Sequence, residues 1–349
     1  MKFKKAIVSL LVILFACMSI MLCGCKIFHK NNVDQNVQPQ QLIGYAKYQD
    51  KLWCITFQIV WDEFRNTLLS GRKVEFIEGN PPIADELNRG IYSKDVVSPD
   101  SYYIKSAKLT PELKHEIEKD IYDKFHEKSD VLHLIDWDMP RAYLFYTMLI
   151  KNFTFNTVFD ELKSEPFNQS ADKVKYFGID KKSNEQLYKN VTVLFYDDNE
   201  YAIRLNTNEN EYVIVYKTDK NDSFDNLYEY VVKNSKVNRF TKYDTFKMPE
   251  IIVDETISYD ELSDKPIKYT DYVIATALQT IKFKLNKKGG SLKSEAVIVA
   301  KLNAVYNPNI PPERHFDFDK PFVLFLQEKG KDKPYYAMKV SDLRYLVKD

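Results

Sequence analysis

The chain has 349 residues, 44% of them hydrophobic, with 50 Lys and Arg set against 50 Asp and Glu. This balance leaves no basic footprint for nucleic acid, and 24 Tyr and 22 Phe against only 9 Gly and 14 Pro exclude a fibrous or disordered chain. Such a length fits either two domains or one large mixed domain.

Lys2, Lys4 and Lys5 open the chain, and Ala6 to Leu22 follow without a charged residue. This is the pattern of a secretory signal. The run falls slightly short of the ~20 apolar residues of a membrane span, and it ends in Leu22-Cys23-Gly24-Cys25. That segment resembles the lipobox of bacterial lipoproteins, in which cleavage after a small residue leaves a diacylglyceryl-modified cysteine in first place. Gly24 is the small residue and Cys25 the acceptor; Cys23 fits less well because bulky Leu22 would then stand at the cleavage point. One acyl chain holds a protein marginally, at ~0.8 kcal/mol per buried CH₂, whereas two or three hold it stably. The mature protein is therefore expected on the outer face of the cell membrane, anchored by lipid.

Residues 1–24 are read as the signal peptide and 25–43 as the lipidated cysteine with its tether, since Lys26 to Gln41 is polar and without periodicity. Residues 44–349 are read as one domain. Cys17 and Cys23 leave with the signal and Cys25 takes the lipid, so Cys54 alone remains and no internal disulfide can form. Trp53-Cys54-Ile55-Thr56-Phe57 has no nearby histidine and opens an apolar pattern, which makes Cys54 a packed, inert thiol.

Ile55, Ile59, Phe64, Leu68 and Leu69 lie close to helical spacing and predict an amphipathic helix that stops at Gly71. Gly79-Asn80-Pro81-Pro82 breaks the chain. A second helix is predicted from Thr110-Pro111-Glu112-Leu113, with Thr110 as N-cap, through Ile117, Ile121 and Phe125. From Arg141 the texture becomes strand-like: Ala142 to Ile150, Val191 to Tyr196, Tyr201 to Leu205, Tyr212 to Tyr216, Ile251 to Val253 and Ile274 to Leu285. Asp197 to Glu200 and Asn206 to Asn210 supply turns between them. Ala296 to Val305 and Pro321 to Leu326 are further apolar runs on either side of a proline-bearing stretch, Asn307 to Pro312. A helical first part followed by strands predicts an α+β fold.

The segment Gln279 to Gly290 (QTIKFKLNKKGG) resembles the serpin strand that leads into the reactive-loop hinge. Pro311 to Leu326 (PPERHFDFDKPFVLFL) is similar to the serpin segment after that loop, where Phe-x-x-Pro-Phe precedes a buried strand, and Tyr335 to Val340 matches the last strand. Arg141 to Phe159 resembles the central sheet strand, and Met248-Pro249-Glu250-Ile251 the passage from a strand into a short helix. The resemblance runs collinearly over roughly 110–347. It implies a serpin-like α+β fold with a helical N-terminal part, large mixed β-sheets and a long loop before the C-terminal strands, residues 44–109 being a divergent or shortened helical part.

The resemblance implies a mechanical trap: a peptidase cuts the loop, and the loop enters the main sheet as an extra strand. Gly289, Gly290, Ser291 and Leu292 are then the candidate hinge, and Lys301 and Asn303 mark the candidate cleavage site. With Gly289 as hinge, the inward positions Gly290, Leu292, Ser294, Ala296, Ile298, Ala300 and Leu302 hold no charge; one residue of slip would bury Lys293 and Glu295. Inhibitory members carry small residues after the hinge, where this chain has Leu292-Lys293-Ser294-Glu295. The expected function is accordingly a non-inhibitory extracellular binding or interaction module, with a serine- or cysteine-type peptidase inhibitor acting by loop insertion as the alternative. Its expected partners are the membrane, through the lipid, and an extracellular protease or other protein.

No Walker loop, G-x-S-x-G or dinucleotide fingerprint occurs, and none of His29, His115, His126, His133 and His315 falls in a metal-spaced pair. Neither an enzyme nor a cofactor or metal is expected. The anchor is open to a direct check: Cys25→Ala is expected to abolish lipid labelling and membrane retention, and normal labelling of that variant would refute the assignment.

Overall fold

Period-two alternation of apolar residues, strong through the second half of the sequence, places one face of each run on a core and so builds sheets. The structure is a computed structural model that describes residues 42–44, 51–292 and 313–349.

Among the described residues four sheets form, with strands numbered in chain order. The main sheet runs β1 (Leu42–Gly44), β13 (Ile251–Ser258), β14 (Leu278–Asn286), β15 (Gly289–Leu292), β5 (Lys151–Thr154), with β1 parallel to β13 and the other pairs antiparallel. A seven-stranded antiparallel sheet runs β11 (Asn238–Arg239), β8 (Val191–Tyr196), β9 (Tyr201–Asn206), β10 (Glu211–Lys217), β17 (Phe322–Glu328), β18 (Tyr336–Val340), β2 (Leu52–Cys54). The third sheet is β16 (Arg314–Asp317), β12 (Asp244–Pro249), β7 (Lys173–Ile179), β6 (Asp160–Pro166), and β3 (Tyr102–Lys108) pairs with β4 (Tyr143–Leu149) alone. The described α-helices are α1 (Thr56–Leu69), α2 (Pro82–Arg89), α3 (Pro111–Phe125) and α4 (Phe224–Asn234). The fold class is α+β, as expected.

Two faces of the seven-stranded sheet are covered, which explains why Phe322-Val323-Leu324-Phe325-Leu326 is apolar at every position. Phe322, Leu324 and Leu326 enter the main core with Ile203, Val213 and Tyr336, while Val323 and Phe325 pack under Leu227, Tyr228 and Val231 of α4. Tyr335 and Tyr336 are fully buried, so they are core residues. Both expected helices form. α1 buries Phe57, Ile59, Trp61, Phe64 and Leu69 and ends at a left-handed Ser70 followed by Gly71 at φ 80°. In α3, the Thr110 hydroxyl accepts the Leu113 amide at 3.2 Å, and Leu113, Ile117 and Ile121 are buried against Leu144 and Tyr146 of β4. The turns at 197–200 and 206–210 join β8 to β9 and β9 to β10 as expected.

One local expectation is overturned. Met248 to Ile251 leads into no short helix; the chain passes through Glu250 straight into β13, with only a 3₁₀ turn at Asp260–Leu262. Ile251, Val253 and Ile257 are buried on that strand, and β-branched residues favour the extended form over a helix. The run Ala296 to Val305 lies outside the described residues.

Cys54 is buried, and burial raises its thiol above the ordinary range, which keeps it protonated and unreactive. In the third sheet Arg314 fixes β16 on β12: its Nε and Nη2 donate to the buried Asp244 carboxylate at 2.8 and 2.9 Å. Beside that pair, Gly178 of β7 lets the β12 backbone come so near that a Cβ would sit 1.8 Å from the Phe246 carbonyl oxygen. Gly178→Ala should therefore cost ~1–3 kcal/mol through forced separation of β7 and β12; an unchanged urea midpoint would contradict this packing.

Candidate functional site

β4 and β5 are one extended run broken only at Ile150, whose amide donates to the Ser101 carbonyl at 2.9 Å. The upper half, β5, pairs with β15; β15 in turn pairs with β14 through the two-residue turn Lys287-Lys288. Because both pairings are antiparallel, β14 and β5 run parallel with β15 reversed between them. The described part of that ladder ends at Leu292. Below it, β14 from Leu278 to Phe283 pairs with β13, and β4 pairs with β3, so among the described residues the edges that face each other have no strand between them.

The gap is a cavity of about 900 Å³, headed by Leu292 and walled by Tyr143 to Ile150 and by Leu278 to Lys282. Val60, Phe64 and Leu68 of α1 close the core side, with Phe64 edge-on to Phe145 at 5.4 Å between ring centres. Within the apolar wall the buried Thr147 hydroxyl has no hydrogen-bond partner. The site offers two backbone edges and an apolar floor, a set of groups suited to receiving an extended strand.

The sequence-derived hinge residues sit at the head of this slot. Gly289 has φ 150°, a value that side chains rarely adopt, and a Cβ there would lie 2.1 Å from the Phe153 carbonyl oxygen. Gly290 stands opposite Leu285 and Phe153, and a Cβ on it would meet the Phe153 ring at 2.4 Å. Ser291 stands opposite Lys284 and Asn152, and Leu292 is buried opposite Lys151. The turn is held from outside, since the amides of Phe155 and Phe159 donate to the carbonyls of Lys288 and Lys287 at 3.0 and 2.9 Å. Cys25, Lys301 and Asn303 lie outside the described residues.

Sequence reasoning did not find the ionic cluster behind Leu292. The buried Lys151 reaches inward from β5 to two carboxylates that face each other across the β10–β17 pair, Glu211 and Glu328. Its ammonium donates to Glu211 Oε1 at 2.7 Å and, in a short contact, to Glu328 Oε1. Ser98 donates to Glu328 from its amide at 2.8 Å and from its hydroxyl at 2.6 Å, and the Tyr335 hydroxyl donates to Glu211 Oε2 at 2.8 Å. Burial lifts the Glu211 carboxyl above the ordinary range. The same burial opposes ionisation of Glu328, yet hydrogen bonds from Lys151 and Ser98 hold it below. A signal did exist: Glu211 opens, and Glu328 closes, a strand with an apolar centre.

Among the described residues no group of three or more His, Cys, Asp or Glu could hold a metal ion, and no helix is long and apolar enough to cross a membrane. No family model matches the chain, and no curated protein does. Similar solved structures are serpins. Serpin48 of the insect Tenebrio molitor is 12% identical over 86% of this chain and 94% of its own, with a TM-score of 0.46. Human thyroxine-binding globulin is 10% identical over 85% and 94%, at 0.47, and human glycosylated kallistatin 8% identical over 85% and 93%, at 0.49.

The seat of β15 depends on its first glycine. Gly289→Ala should drive the hairpin out of contact with Phe153, costing ~1–3 kcal/mol and speeding amide exchange at 290–292; unaltered protection there would show that the close approach is dispensable.

Proposed function

We propose that the mature protein, tethered through Cys25 on the outer face of a membrane, is a non-catalytic, serpin-like peptidase inhibitor whose main sheet takes up the chain that follows Leu292. The single observation that supports this reading is the open slot between β14 and β4 in line with β15. Continued in the register of β15, Ser294 would stand opposite Leu149 and Ala296 opposite Thr147, on the face that looks to α1, while Lys293 and Glu295 would point away from it. Uptake would give both edges a row of backbone hydrogen bonds and would displace whatever water they now hold.

A second reading has its own observation. Leu292-Lys293-Ser294-Glu295 stands where an inhibitor has small residues, and slow uptake lets an acyl-enzyme hydrolyse before the trap closes. On that reading the protein is a non-inhibitory extracellular binding module that a peptidase merely cuts.

The two readings part on one experiment, in which the mature chain is mixed with a panel of serine and cysteine peptidases. An inhibitor gives a covalent complex that survives denaturing electrophoresis; a binding module gives only fragments. Lys301 is the only basic residue between Val299 and Ile310, so a trypsin-like enzyme is expected to cut after it first. Cleaved protein should then melt tens of degrees higher than intact protein if the freed arm enters the sheet. In Ala296→Arg the arm would bury an unpaired guanidinium, so cutting should persist while the gain in melting temperature disappears. A wild-type protein whose melting temperature does not rise after this cut would overturn strand uptake.

A further inference from the structure

Of the charged groups in the interior, the cluster at the head of the slot is the one whose charges do not balance. Lys151, Glu211 and Glu328 are each buried, and the two carboxylates occupy directly opposed positions of an antiparallel pair, where like charges repel at close range. One ammonium sits between them. Lys329 attracts Glu211 from a distance but makes no ion pair with it, and the other titratable groups that face the cluster bring no cation. Tyr335 donates to Glu211, the Cys54 thiol of β2 lies behind Tyr335, and burial raises both. Lys329 turns its ammonium to the carbonyls of Thr207 and Glu209, and the Glu209 carboxylate is taken by the Thr154 amide and hydroxyl. From the 98 segment only the amide and hydroxyl of Ser98 contribute.

The position of the cluster gives this imbalance a consequence. Lys151 is the register partner of Leu292 and ties β5, the continuation of the slot-bordering β4, to β10 and β17, while Thr154 ties the far end of β5 to the β9–β10 turn. We propose that Lys151, Glu211 and Glu328 form a proton-operated latch on the head of the slot, closed when one proton is held on Glu211 and weakened when that proton leaves. With the proton in place, Lys151 and Glu328 are a neutral pair; without it, an excess negative charge is confined in a dry site, and the strain is relieved by letting β5 draw away and water enter. Burial sets the direction. It raises the Glu211 carboxyl, so the contribution of Glu211 to stability is fully present below its unfolded value and is lost as pH rises through its folded one. Glu328 is held down and contributes in the opposite sense, being lost only at stronger acidity, which leaves a mildly acidic window in which the latch is firmest.

This inference rests on the geometry of the intact slot and not on any peptidase, so its test uses uncleaved full chain and stands or falls apart from the inhibitor reading. Melting temperature and hydrogen exchange are measured for wild type and Glu211→Gln between pH 5 and pH 8. The introduced amide mimics the protonated acid, so the advantage of the variant over wild type should grow as pH rises, reaching roughly 3 °C near pH 8. Amides at 151–154 and 290–292, corrected for intrinsic rates, should lose protection with rising pH in wild type alone. Equal pH profiles for the two proteins would overturn the latch. Should Glu211→Gln fail to fold, pH-independent protection at 151–154 in wild type would overturn it equally.

Discussion

One run of chain, Tyr143 to Thr154, belongs to two pairings at once, and the remainder of the fold is arranged around that division. Its upper half is zipped to β15, while its lower half pairs with β3 and turns its other edge to a cavity. Backbone amides and carbonyls at such an edge lose free energy if they are neither paired nor hydrated. α1 packs beneath the edge and lines the gap through Val60, Phe64 and Leu68, while α3 braces β4 through Leu144 and Tyr146 without entering it. The slot is consequently part of the fold's framework, bordered by a helix that also stabilises the core.

The seven-stranded sheet serves as the fixed body against which this division is set. Aromatic rings pack on its faces, Tyr201 edge-on to Phe316 and Phe318 and Tyr228 to Phe325, and in the third sheet Phe246 lies edge-on to Phe159 and Phe177. Such rings bury much area with few rotatable bonds, and their edge-to-face contacts add specificity. Against so stiff a body, β5 makes one buried ionic contact. Lys151 makes that contact, and its two acceptors lie at the ends of strands in the fixed sheet. Arg314 does the corresponding service where the chain returns after residue 312, holding β16 to β12 through Asp244.

How much of this was legible in the sequence follows from what each residue shows locally. α1 and α3 carry their periodicity within a single window, and the core strands β8, β9, β10 and β17 are rich in apolar residues, so all were readable. The α+β class was readable from their order. β6 and β7 were not, because Asp160–Pro166 has few apolar side chains and is held by a bulged antiparallel pairing with β7, the next strand in the chain. α2 and α4 were missed since each is short, and α2 begins at Pro82 within a stretch rich in chain breakers, where proline is tolerated at the first turn. Of the site, the glycines at 289 and 290 stood out, whereas the slot did not: a gap is made by edges from residues 142–150 and 278–282, and nothing in either run records that its neighbour is missing. The cluster of Lys151, Glu211 and Glu328 was hidden for the same reason, as its members are separated by 60 and 177 residues.

The turn at Lys287-Lys288 carries a kinetic meaning. A strand captured from solution must first lose its overall freedom and choose a register, and both are slow and error-prone. Here a hairpin already closed, with its turn carbonyls held by Phe155 and Phe159, leaves neither choice open. Whatever follows Leu292 into the gap would do so as propagation from a finished nucleus, one residue per step and in one direction. The difficulty of extending that strand would therefore be set at each step by the single side chain next in line, and the rate would be readable as a sequence of local barriers beginning with Lys293.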